Sequence, residues 1–440
     1  MPSLHVSEFS CLAEAAFEIA PVNVIIGPQG SGKSVTTKLF YFFSDILNGH
    51  LQSAERGDDI NDYKKTLAKQ FAIWFPPSAW GAGRFNVNYY AGRFTVRVLR
   101  RVSYGKPSDE VAITFSEWFT EHYRRALETF SKARDKVDLM DENSGQFSAD
   151  LDRIWRVRES LTRSMNVALG HEYIGQQTFI PAGRAFFTSI GRLVAGFEHA
   201  GALDPVTVKF ARLFANLRDR NTSRSLLNAS RLSNDFIERR NQFMEKLFGG
   251  EIKFEGETEF VETTDGRKVP FSSLSSGQQE LLPMWSLIDY FGQVDALRAR
   301  RSGPAARVPR ELVYIEEPEA HLFPSAQSLL MDFLIGSIVS ERNQRSLIIT
   351  THSPYIMSKL NVFLKAGQLA RRKKKNQEIN DVVPRECWLT ESQLSAFSIE
   401  NGRMTNLIDE EGLIDSTYLD QISEDISRQF SSLLRIESEI

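Results

Sequence analysis

Gly27-Pro28-Gln29-Gly30-Ser31-Gly32-Lys33-Ser34 is the stretch on which the reading of this chain turns. It fits G-x-x-x-x-G-K-[ST], a spacing with a physical reason. The glycines allow a loop so tight that successive backbone N–H groups point at one anion. Lys33 can then reach the β- and γ-phosphates of a nucleoside triphosphate, and the Ser34 hydroxyl is placed to ligate Mg2+. Ahead of the loop, Val22-Asn23-Val24-Ile25-Ile26 reads as a buried strand. Behind it, Val35 to about Leu47 reads as a helix offering its positive end to the phosphates. Strand before, helix after and all fixed positions present argue against a chance glycine-rich turn. Gly27, Gln29, Gly30, Ser31, Gly32, Lys33, Ser34 and Val35 are the candidate nucleotide contacts.

Leu312-Val313-Tyr314-Ile315 is a second apolar strand, and it ends in Glu316-Glu317-Pro318-Glu319. A Mg2+-dependent NTPase needs such carboxylates beside its phosphate loop. One holds the metal and the next polarises the attacking water. Glu316 is assigned to the metal and Glu317 to the water. Ser346-Leu347-Ile348-Ile349-Thr350-Thr351 is a third strand, ending at His352-Ser353-Pro354. A histidine at the C-terminal edge of an α/β sheet lies in the ligand crevice, within reach of a γ-phosphate or the attacking water. A lone histidine is more often structural. The order phosphate loop, carboxylate strand, histidine strand favours catalysis by His352.

Leu274-Ser275-Ser276-Gly277-Gln278-Gln279-Glu280 should open a helix. The serines are good N-caps, Gly277 admits close backbone approach, and Gln279-Glu280 suits a first turn. An ordinary cap is the plainer explanation, but a helix N-terminus is also an anion site.

Together these four segments resemble the ABC-type ATPase head. More narrowly they resemble the branch of OLD (overcoming lysogenization defect) proteins, RecF-type repair ATPases and bacterial anti-phage ATPases. In that branch the carboxylate strand often reads E-E-P-E-x-H-L-x-P, as Glu316 to Pro324 does. The resemblance implies an α/β P-loop NTPase head that binds ATP and Mg2+ in sites sandwiched between two copies. Ser275, Ser276, Gly277 and Gln278 would then cap the γ-phosphate of the ATP held by the other copy's Lys33, and His352 would be the switch histidine. Glu316 stands where transporter-type heads carry Asp, which tilts the reading away from transport.

The 440 residues could form two or three domains or one large α/β domain with insertions. Apolar content of 42%, charged content of 25% and a net charge of −3 describe an ordinary globular chain without a global basic field for gripping DNA. No 18-residue apolar span or signal-like N-terminus appears, so a cytoplasmic protein without a membrane partner is expected. Cys11 and Cys387 are too few for a disulfide framework or a zinc site and read as inert buried thiols.

About 240 residues separate Ser34 from Leu274, more than one crossover needs. Arg84 to Arg101 alternates as a β-hairpin around Ala91-Gly92. Pro107 to Leu169 reads as two or three helices, with Phe115, Trp118, Phe119 and Tyr123 on one face and Leu151, Ile154, Trp155 and Val157 on another. The polar turn Asp141 to Gln146 divides them. Heptads are not sustained, which excludes a long coiled-coil arm. Gln176 or Gln177, at the next strand-to-loop signal, is a candidate coupling glutamine in the resembled family. Arg184 is either a phosphate or partner contact or part of a structural turn. Phe210 to Phe248 reads as helical, including Leu226-Leu227. Strands around Thr264-Asp265-Gly266 then form a hairpin feeding the signature. The expected division is residues 1–56 and 171–365 for the head, with a helical segment at 205–248. Residues 57–170 would be a β-hairpin and compact helical insertion, and 366–440 a C-terminal basic loop and helical tail.

Arg298 to Arg310 and Arg371-Arg372-Lys373-Lys374-Lys375 are basic stretches that could touch nucleic acid. Solvated charge is the commoner explanation, since few aromatics interleave. Ser416 to about Ile436 is amphipathic through Leu419, Ile422, Ile426, Phe430, Leu433 and Leu434, and would pack on the head or dock a partner. The 88 residues after His352 in this 440-residue sequence show no Toprim nuclease pattern, and Asp409-Glu410-Glu411 and Asp415 lack the strand that one needs. In plan the chain resembles ATPase subunits of PARIS-type or Septu-type anti-phage systems. That implies a homodimer of heads or a larger ring, a separate effector for which a Toprim-type nuclease is a candidate, and a nucleic acid or phage-protein trigger. A RecF-like DNA repair ATPase is the alternative, and a transporter ATPase subunit a remoter one.

Overall fold

The computed structural model describes residues 1–138, 146–190, 203–222, 234–255, 258–301, 309–339, 344–372, 376–415 and 427–435. Eleven strands form one sheet. They are β1 (Ser3–Phe9), β2 (Leu12–Glu18), β3 (Val22–Ile26), β4 (Asn86–Ala91), β5 (Phe94–Ser103), β6 (Lys106–Phe115), β7 (Ile174–Ile180), β11 (Arg310–Glu316), β12 (Arg345–Thr351), β13 (Leu394–Glu400) and β14 (Arg403–Asn406). The spatial order is β6-β5-β4-β1-β2-β14-β13-β3-β12-β11-β7. Between Gly250–Glu255 (β8), Thr258–Thr263 (β9) and Lys268–Pro270 (β10) a small antiparallel sheet forms, ahead of the signature.

β13, β3, β12, β11 and β7 run parallel to one another, and β13 pairs antiparallel with β14 on its other side. Every residue of β3, β11 and β12 is buried, as expected for a parallel sheet covered on both faces. Their side chains nevertheless alternate. Ile25, Leu312, Tyr314 and Ile348 enter one core with Phe40, Phe43, Phe71, Phe119 and Tyr123. Val24, Val313, Ile315, Leu347 and Ile349 enter the other with Phe210, Phe243, Trp285, Leu334 and Leu360. The first core lies under helices Lys33–Arg56, Ile60–Trp74, Glu117–Asp138 and Gln146–Leu169. The second lies under Pro205–Thr222, Asn234–Phe248, Ser276–Arg301, Pro324–Ile338 and Pro354–Arg371.

The hairpin read over Arg84–Arg101 is β4–β5, with Ala91 opposite Phe94. It is continuous with the head through the β1–β4 pairing. Residues expected to begin a helix at Pro107 instead form β6, an edge strand paired with β5. Its first half is polar, so it lacked the apolar alternation that marks a strand. Trp155 is 63% exposed and off the face assigned to it. Ile154, Val157, Leu161 and Met165 face the core, and Trp155 sits about 100° around the helix from Ile154. Cys387 is buried as expected, whereas Cys11 is exposed because it occupies the β1–β2 turn.

Residues 141–145 of the polar turn, Leu226-Leu227, residues 302–308 of the arginine stretch, Lys373–Lys375, and Leu419, Ile422 and Ile426 lie outside the described residues. Phe430, Leu433 and Leu434 form one stripe on an exposed helix and are not packed on the head. Among the described residues, no helix is long and apolar enough to cross a membrane.

Candidate functional site

Adjacent strands bring the motifs to one edge. β12 lies between β3 and β11, with Thr351 opposite Ile26 and Thr350 opposite Glu316. The phosphate loop, His352 and Glu316-Glu317 therefore leave the sheet side by side, in the crevice outside its C-terminal edge.

The loop is built for an anion. Gly30 and Gly32 have φ of 74° and 109°, backbone that side chains seldom adopt. A Cβ on Gly27 would stand 2.5 Å from Ile399 O, so only glycine fits against β13. Gly32 caps the helix Lys33–Arg56 without a side-chain bond, and no acidic residue lies in the first turn. Its first N–H groups therefore remain directed at a ligand. Gln29, Gly30 and Ser34 are exposed, and Ser31 and Val35 are partly so. Lys33 is buried and donates to Gly27 O at 2.8 Å and Pro28 O at 2.9 Å. Burial pulls its ammonium below the usual lysine range, against the upward pull of Glu317, Glu319 and Glu316.

The carboxylate turn is held from several sides. Glu317 adopts a left-handed φ of 45°, a conformation that costs on the order of 1–3 kcal/mol and persists only when its surroundings impose it. Its N–H donates to Thr350 O at 2.8 Å, and its Oε1 lies 3.2 Å from His352 Nε2. Glu316 is buried, and its Oε1 has no hydrogen-bond partner. An acceptor so placed fits a cation, and with Ser34 it would give a divalent ion two protein ligands and leave its other positions to phosphate and water. Among the described residues no group of three or more His, Cys, Asp or Glu forms a metal cage.

Two residues at this edge carry roles that motif reading did not assign. Glu319 Oε1 accepts from Thr351 Oγ1 at 2.6 Å and from His352 N at 2.7 Å, so it orients the histidine loop. Arg184, fully buried after β7, donates to Glu316 O at 2.6 Å and Glu317 O at 3.0 Å. The structural role left open for Arg184 is therefore the observed one. Its partner Glu280 is 96 positions away, so no local spacing could have announced the pair. The candidate coupling glutamines lie elsewhere. Gln177 accepts from the Tyr314 hydroxyl at 2.7 Å and donates to Tyr41 O at 3.2 Å. Gln176 is exposed opposite Glu311, near the N-terminal end of β11. Neither stands at the edge where Glu316 and Glu317 emerge.

The signature opens the helix Ser276–Arg301 as expected. Ser275 caps it through a reciprocal box, in which Ser275 N donates to Gln278 Oε1 at 3.2 Å and Gln278 N to Ser275 Oγ at 3.4 Å. Gln278 also donates to Leu247 O and Phe248 O, anchoring the turn to the preceding helix. A Cβ on Gly277 would stand 2.7 Å from His321 O. The signature is thus packed against the turn that follows the carboxylates. Ser275 and Ser276 remain exposed.

Solved structures similar to this chain include an SMC head bound to the C-winged helix domain of ScpA, at 13% identity, covering 93% of this chain and 98% of that chain, with a TM-score of 0.37. CbiO1 from Clostridium perfringens, part of the ABC transporter complex cbiONQ, matches at 13% identity over 98% of this chain and 96% of its own, with a TM-score of 0.27. The recombination mediator protein RecF of the RecFOR pathway matches at 9% identity over 92% and 97%, with a TM-score of 0.28. No curated protein matches the sequence. Residues 22–358 match the family described as "AAA domain, putative AbiEii toxin, Type IV TA system", a span running from the strand before the phosphate loop to the helix after His352, and the chain belongs to that family.

Proposed function

We propose that this chain hydrolyses ATP with Mg2+ at sites shared between two copies of itself, and that turnover controls a separate effector protein in defence against phage. The observation that carries the reading is Glu317, held on strained backbone, bonded to His352 and placed at the sheet edge with Lys33. Strain retained at such a point supports a catalytic use of the side chain.

Lys33 would exchange its bonds to Gly27 O and Pro28 O for phosphate oxygens. Ser34 and Glu316 would hold Mg2+, which supplies charge neutralisation of the phosphates. Glu317 would accept the proton of the attacking water, with His352 fixing the carboxylate. Ser275 and Ser276, exposed at a helix start, would with Gly277 and Gln278 cap ATP held by the second copy, in a dimer or a larger ring built from dimers. The family's description as a toxin of a type IV TA system supports a two-component arrangement. A trigger, nucleic acid or phage protein, would act by shifting the equilibrium between separate and paired heads.

The test is ATPase rate and mass in solution across protein concentration, alone, with DNA and with the neighbouring gene's product. Turnover per chain should rise with concentration as pairs form, and change when the second protein is added. Full turnover by single chains in ATP would overturn the paired site. A large stimulation by DNA that is unchanged when the neighbouring gene's product is added would support the RecF-like alternative instead.

A further inference from the structure

Arg184 belongs to neither the phosphate loop nor the signature, yet it touches both sides of the ATPase machinery. Its side chain is wholly buried. Nη1 donates to Pro181 O at 3.0 Å and Glu316 O at 2.6 Å, Nη2 to Glu317 O at 3.0 Å, and Nε to Glu280 O at 3.1 Å. Glu280, in the first turns of the helix that the signature opens, returns the contact. Its Oε2 accepts from Arg184 N at 2.8 Å and its Oε1 from Ala185 N at 3.2 Å. The bonds to Pro181 O, Glu316 O and Glu280 are buried, so no outside partner can substitute for one that is lost. The loop after β7, the end of β11 and the start of the signature helix are thereby tied into one unit.

We propose that Arg184 and Glu280 link the two ATP sites of a pair, by tying the Glu317 that acts on one ATP to the helix whose N-terminus caps the other. This rests on the paired-site reading above. A shift of the signature helix toward a γ-phosphate across the interface carries Glu280 with it. Both oxygens of Glu280 are committed to backbone N–H groups at Arg184 and Ala185, so that loop follows. The rigid guanidinium fork then moves the carbonyls of Glu316 and Glu317. Glu317 has no slack to absorb the shift, being fixed at its N–H by Thr350 O and at its carboxylate by His352. Displacement by about 1 Å is enough to change a rate on the order of 100-fold, so the link switches hydrolysis without touching nucleotide. Arg184 is a positioning residue in this scheme.

The test uses the full chain with Arg184→Lys, which keeps the charge beside Glu280 but loses the fork that grips two carbonyls. The double variant Arg184→Met/Glu280→Leu removes both charges together and serves if the single one does not fold. ATP affinity is measured by equilibrium binding, turnover by the kcat and KM split, and cooperativity by the Hill coefficient. In a second background, Glu317→Gln, pairing in ATP is measured by sedimentation. The expected result is unchanged pairing, ATP affinity within about twofold, kcat lower on the order of 10- to 100-fold, and a Hill coefficient falling from above 1 to about 1. If Glu317→Gln alone fails to pair in ATP, the paired-site reading falls and the link with it. If pairs form but the wild type is non-cooperative, or the variant keeps the wild-type kcat and Hill coefficient, the link alone is overturned. Loss of kcat with cooperativity intact would make Arg184 a static brace and equally overturn it.

Discussion

His352 Nε2 lies 3.2 Å from Glu317 Oε1, although the two residues leave different strands. The contact joins the ends of β11 and β12 at the level of the phosphate loop, and Glu319 secures the histidine from its backbone side. One carboxylate touches the imidazole and another holds the loop that presents it. That division of labour gives distinct expectations for each residue.

Lys33→Ala should abolish nucleotide binding, whereas Glu317→Gln should bind ATP and turn it over slower by about 10²- to 10⁴-fold. Lys33 supplies charge to the ground-state phosphates, while Glu317 acts on the attacking water alone. Equilibrium binding of a fluorescent ATP analogue and steady-state phosphate release separate the two. Wild-type hydrolysis by Glu317→Gln would remove Glu317 from its assigned role.

Glu319→Ala should lower kcat on the order of tenfold with little change in ATP affinity. It frees Thr351 Oγ1 and the His352 N–H from one shared acceptor and lets the histidine drift. His352→Ala in the same background should then add little, because neighbours acting through one contact are not additive. Independent, multiplying losses would show that Glu319 does something other than hold His352.

Much of this site is legible in the sequence because its chemistry demands fixed residue types at fixed spacings on short apolar strands. Lys33, Glu316, Glu317 and His352, which stand together at one sheet edge, follow that pattern, and strict alternation marks the β4–β5 hairpin. What escaped had no local pattern. β6 begins Lys106-Pro107-Ser108-Asp109-Glu110, which an edge strand tolerates because it needs little apolar surface there. Arg184 and Glu280 meet only once β7, β11 and the signature helix are packed together. Gln177 is one of two candidate coupling glutamines in the sequence, but register places it beside Leu312 within the strand, where it joins Tyr314 to Tyr41.

Stability should fall in acid through His50. Its ring is wholly buried, Nδ1 donates to Leu47 O at 2.9 Å, and Nε2 has no partner. Burial first, and the neighbouring His122 second, push the imidazole down to about 3. The unfolded chain accepts a proton near about pH 6.5 that the folded one refuses. This contribution is therefore intact above about pH 6.5 and is lost as pH falls toward about 3. Between about pH 7 and pH 5 it amounts to about 2 kcal/mol. Chemical denaturation of His50→Phe should show a pH difference smaller by that amount than the wild type. An unchanged difference would assign the acid sensitivity elsewhere.

Ser275→Arg should abolish ATP-dependent pairing and concentration-dependent turnover while leaving ATP binding and thermal stability near wild type. Ser275 is exposed, and its hydroxyl serves only the local cap with Gln278, so its loss costs the fold about 1 kcal/mol. Gly277→Ala tests the same surface from within. A methyl there would stand 2.7 Å from His321 O, forcing the signature helix away from the turn after the carboxylates. It should reduce turnover without reducing the affinity of a single chain for ATP, because the phosphate loop lies on other elements. Sedimentation in ATP, with Glu317→Gln used to prevent turnover, reads pairing directly. Paired chains carrying Ser275→Arg, or ATP affinity lost by Gly277→Ala, would place the signature at its own chain's nucleotide and end the shared-site reading.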